Sequence, residues 1–158
     1  MLSSTPQRAG YLAATMVHEL QHAKLGALAH LVPLHTADGR ARHWAPWRPD
    51  PRPFDGLLQG TYSHLALAEY WQMFALDAKE ELLREHAWAE HSRCREQIGA
   101  VLPTLAGSGS LTEAGRVLVT EMAAHLGRLK DIPPPSGHLV RAAAYVKESR
   151  RGWRRQYG

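Results

Sequence analysis

Five prolines fall between residues 33 and 53, and three more stand in a row at Pro133-Pro134-Pro135. Proline has no N–H to donate and fixes φ, so neither a helix interior nor a central strand can run through these stretches. Between them the apolar residues recur at helical spacing, and no Val/Ile/Thr-rich alternation marks a strand. The fold class expected is mainly α, with very little β and a long Pro/Arg/Trp-rich loop between the first two helices.

The first helix is expected from Gln7 to Leu31. Leu12, Met16, Leu20, Ala23, Ala27 and Leu31 recur at steps of three and four, and Thr5-Pro6 offers an N-cap with proline at the first helical position. Pro33 ends it. A loop follows to about Gly56, with Trp44, Trp47 and Phe54 among its prolines; that aromatic content argues for order. A second helix is expected from Leu57 to Leu102, broken near Gly60. Its apolar positions are Leu65, Ala68, Trp71, Leu76, Leu82, Leu83 and Ile98. Ser110-x-x-Glu113 reads as a capping box for a third helix reaching Lys130. A last, short helix runs from His138 to Arg151.

A chain of 158 residues is one domain's worth. Its single cysteine, Cys94, rules out an internal disulfide framework and a Cys-based zinc finger. No signal peptide and no run long enough to span a bilayer is visible, so a cytoplasmic location is expected. The net charge of +4 gathers in Arg141, Lys147, Arg150, Arg151, Arg154 and Arg155. That cluster reads as a solvated helix end, with neither a membrane nor nucleic acid expected as partner.

Ten histidines are more notable, and two of them form His18-Glu19-Leu20-Gln21-His22, an H-E-x-x-H pattern. On a helix, i and i+4 share a face, so both imidazoles can reach one metal ion. Glu19 stands beside them as a candidate for orienting a metal-bound water. A metzincin peptidase would carry Gly at 25 and His at 28, where this chain has Leu25 and Leu28. His30 is two turns too far along. The third ligand is expected from the second helix, His64 or alternatively Glu69. A glutamate would complete the two-His, one-Glu set of a zinc peptidase; either residue could complete a facial iron site. His86 and His91 read as solvated. Arg48 and Arg52 are presented by the stiff loop. They either clamp a carboxylate at the metal pocket or pair with Asp50 or Asp55 on the surface.

The stretch from Val17 to Trp71 resembles the HExxH-domain family of bacterial peptide-modification clusters. The matching text is V-H-E-L-Q-H-A-K-L-G-A-L, W-A-P-W-R-P-D-P-R-P-F-D-G-L-L-Q-G and T-Y-S-H-L-A-L-A-E-Y-W. Members occur alone or fused to radical-SAM maturases of ribosomally synthesised peptides. The resemblance implies iron(II)- and 2-oxoglutarate-dependent β-hydroxylation of a residue in a precursor peptide. It implies His18, His22 and His64 as iron ligands, with Arg52 as the 2-oxoglutarate clamp and Arg48 as its alternative. Partners would be the precursor peptide and a radical-SAM maturase. Residues 1–158 are expected to form a single HExxH-type domain. Family members carry a larger region before the motif, so the chain is also expected to be a truncated or C-terminal portion of a longer protein. The alternatives are a zinc metallopeptidase using Glu19 as general base and a non-catalytic domain that binds a peptide or partner.

Overall fold

A computed structural model describes residues 5–158, with side chains from Arg8 onward. Among the described residues there are five helices: α1 (Thr5–Leu31), α2 (Phe54–Asp77), α3 (Glu81–Ala106), α4 (Glu113–Lys130) and α5 (His138–Tyr157). There is no sheet among the described residues, only two isolated bridges, His35 with Leu111 and His43 with Arg52. The mainly α class with a long inserted loop is what the proline punctuation predicts. The Thr5-Pro6 cap involves side chains outside the described ones.

The expected second helix is two helices. The break falls at residues 78–80, not near Gly60, with Ala78 and Glu80 in extended conformation. No Gly or Pro marks it. A continuous rod would leave its apolar positions without neighbours, whereas the reversal folds α3 back along α2. Leu57, Leu58, Leu65 and Ala68 then meet Cys94, Ile98, Val101 and Leu105 in the main core. Burying such side chains contributes about 1.5–3 kcal/mol each. Leu76 and Leu82, expected in the core, flank the reversal and are exposed. Trp71, Ala75, Ala87 and Trp88 make a second cluster with Ala14 of α1.

The Thr112 hydroxyl, rather than Ser110, caps α4, accepting from the Gly115 N–H at 3.1 Å. The same hydroxyl donates to the Pro33 carbonyl at 2.7 Å. Gly115 is required there, since a Cβ would stand 1.9 Å from the Leu34 carbonyl oxygen. The α4 C-terminus is closed by Gln72, whose amide donates to the Leu129 and Ile132 carbonyls at 2.9 and 3.0 Å. Helix α5 continues six residues beyond the expected Arg151, ending at Tyr157.

Candidate metal centre

Helix α1 packs against α2, and the residues facing α2 include Ala14, His18, His22 and Leu25. His64 lies on α2, one turn after Gly60. The loop folds over both. Its arms pair backbone to backbone, the Arg52 N–H donating to the His43 carbonyl at 2.8 Å and the His43 N–H to the Arg52 carbonyl at 2.9 Å. The Gln97 amide of α3 donates to the Pro46 carbonyl at 3.3 Å. Trp47 is thereby laid on the His64 ring, nearly parallel at 4.4 Å between centroids. Gly60 makes this possible, because a Cβ there would be 2.6 Å from the indole.

These elements enclose a cavity of about 520 Å³ lined by His18, His22, His64, Trp47, Arg48 and Arg52, with Gln59 and Arg93 also at its wall. The three imidazoles are oriented alike. Nδ1 of His18 lies 3.2 Å from Glu19 Oε1, Nδ1 of His22 3.3 Å from Gln59 Oε1, and Nδ1 of His64 2.8 Å from the Gly60 carbonyl. An oxygen acceptor holds the proton on Nδ1 and leaves the Nε2 lone pair for another partner. Nε2 of His18 and Nε2 of His22 are 3.3 Å apart. Two donors at ~2.0–2.1 Å from one ion and near the tetrahedral angle would be separated by roughly 3.4 Å. The pair thus fits a shared metal ion. His64 is further off, its ring centroid 6.0 Å from that of His18. Among the described residues no three His, Cys, Asp or Glu side chains are already converged on one ion position. Sharing one ion among all three would require the His64 ring to move from this position. Burial, opposed in part by the Gly60 contact, pushes the His64 pKa down to about 4, which keeps its ring neutral and able to donate a lone pair at pH 7.

The other expected site residues separate clearly. Glu69, the alternative third ligand, does not line the cavity; it pairs with His125 of α4 at 3.2 Å. Glu19 is 70% exposed, does not line the cavity and bonds the Nδ1 side of His18 at 3.2 Å. Arg48 is bonded to Asp50 at 3.1 Å. Arg52 is less exposed, its nearest carboxylate is 3.9 Å away, and its Nε is buried without an acceptor. Of the two, Arg52 makes the looser contact with Asp50 and no side-chain hydrogen bond among the described residues. His91 is not solvated: it is fully buried, Nδ1 2.7 Å from the Ala68 carbonyl. His86 is half-buried against Tyr11 and Trp71. His30 lies exposed on α1, as expected.

Sequence reasoning did not single out Gln59, Trp47 or Arg93 for the site. Gln59 lies one turn before Ser63-His64 and Trp47 between two prolines; both were legible only as helix and packing residues. Arg93 sits in the charge-dense part of α3, where it resembles any exposed arginine; Glu90 and Gln97 hold it at the cavity wall. No protein-family model matches the chain, and no curated protein matches it.

Proposed function

We propose that the chain is a non-haem iron(II)- and 2-oxoglutarate-dependent hydroxylase acting on a residue of a ribosomally synthesised precursor peptide. The observation that carries this is that three imidazoles line one cavity together with Arg52, whose only carboxylate contact among the described residues is a loose one to Asp50 at 3.9 Å. His18, His22 and His64 would hold the iron through Nε2, and Glu19, Gln59 and the Gly60 carbonyl fix their tautomers. When bound, iron with 2-oxoglutarate and oxygen supplies the oxidising power to hydroxylate an unactivated C–H bond. Arg52 would receive the far carboxylate of 2-oxoglutarate in a bidentate contact. Arg48 and Arg93 also line the cavity, each paired with a carboxylate, Asp50 and Glu90 respectively. Trp47 covers His64 and keeps water from that wall.

The zinc-peptidase alternative asks for Glu69 at the metal and Glu19 facing a bound water. Glu69 pairs with His125 and Glu19 with His18, so this arrangement does not favour it.

The test is anaerobic loading with Fe(II) followed by 2-oxoglutarate. A visible metal-to-ligand charge-transfer band is expected, and it should be lost in Arg52→Ala while iron still binds. Stoichiometric zinc without any such band would move the assignment to a hydrolase.

A further inference from the structure

The apolar stripe that marks α1 as a helix is not the face that packs. At about 100° per residue, Leu12, Met16, Leu20, Ala23, Ala27 and Leu31 form one line nearly opposite buried Ala14 and Leu25 and half-buried His18. Leu12 is 64%, Met16 66%, Leu20 56% and Leu31 85% exposed, and both alanines are exposed with them. The helix is therefore apolar on two faces with only one covered, a pattern that belongs to a buried helix.

We propose that this outer face of α1 pairs antiparallel with α1 of a second copy. The residue types are self-complementary in that orientation. Centred between Gln21 and His22, Met16 falls level with Ala27 of the second copy, Leu20 with its Ala23, and Leu12 with its Leu31. Each copy thus sets its two large central side chains against two small ones, which permits close approach, about 8 Å between axes. The matched stretch is about 28 Å long. Each stripe leaves roughly 600 Å² of apolar side chain open, at the top of the range for a monomer's largest patch. Complete burial of both would give at most ~1,200 Å², the size at which stable interfaces begin. The pairing is a two-fold, isologous contact that closes on itself. It lies on the side of α1 away from the histidine cavity, so it stands or falls independently of the metal-site reading.

Sedimentation velocity on the full chain at tens of micromolar is expected to give a dimer mass, and Leu20→Glu a monomer with unchanged far-UV circular dichroism. Position 20 is exposed, so the charge meets water in the monomer. Mixing Leu20→Cys with Ala23→Cys chains is expected to give the mixed disulfide as the main product. Native Cys94 will not compete, being fully buried with its thiol pushed up to about 12. A monomeric wild type, a Leu20→Glu chain that stays dimeric, or 20-to-20 crosslinks as the main product would each overturn the proposal. If Leu20→Glu loses its helical signal, the crosslinking pattern and the wild-type mass decide.

Discussion

Gln59 and Glu19 are not candidate ligands themselves, yet each holds the Nδ1 of one. Outer partners of this kind are worth about 10–100-fold in metal affinity. Gln59→Leu should therefore weaken Fe(II) or Zn(II) binding by about that factor in a competition titration, with the fold intact. His64→Ala should weaken it at least as much; wild-type affinity in that variant would remove His64 from the site. Gly60→Ala tests the wall. Its Cβ meets the indole of Trp47, a ring held by the loop, so overpacking should cost about 1–3 kcal/mol. Denaturant unfolding reads the cost, and a shifted tryptophan emission reports the ring's displacement.

Glycines within the helices separate by what their missing Cβ would strike. Gly115 opens α4 against backbone, the Leu34 carbonyl, which has no rotamer by which to yield. Gly115→Ala should cost several times the few tenths of a kcal/mol typical of surface changes, and should loosen the connection between the loop and α4. Gly99 on the exposed side of α3 meets nothing within 4 Å. Gly99→Ala should stabilise by about 0.4–1 kcal/mol through lower entropy of the unfolded chain. Thermal melts of the two variants should therefore move in opposite directions. The reversal between α2 and α3 belongs to the same scale. Asp77-Ala78-Lys79-Glu80 contains good helix formers, so local propensity gives no sign of a stop; packing of α3 on α2 imposes it.

Across the whole molecule, histidine burial links stability to pH. Burial lowers the pKa of His91 from its ordinary 6.5, against the opposing Ala68 contact. The ring is neutral in the fold, while the unfolded chain takes up a proton near pH 6.5. Its contribution is complete above that value and is lost as pH falls below it. Chemical denaturation at pH 7.5 and pH 5 should show lower stability at the acid pH, with a smaller difference in His91→Gln.

Helix identity, the proline-bounded loop and the His18–His22 pair were legible in the sequence, because spacing along one helix is fixed by its own hydrogen bonds and proline blocks them locally. Which face of α1 turns inward was not legible, because both faces are apolar and only the fit against α2 selects between them. Why His64 lines the cavity and Glu69 does not was closed to helix spacing: both lie on α2, and only the position of α4 brings His125 to Glu69. Arg48 and Arg52 are the same chemistry four residues apart. Asp50 hydrogen-bonds Arg48 at 3.1 Å and meets Arg52 only loosely at 3.9 Å, a distinction made by the fold of the loop and by nothing in its composition.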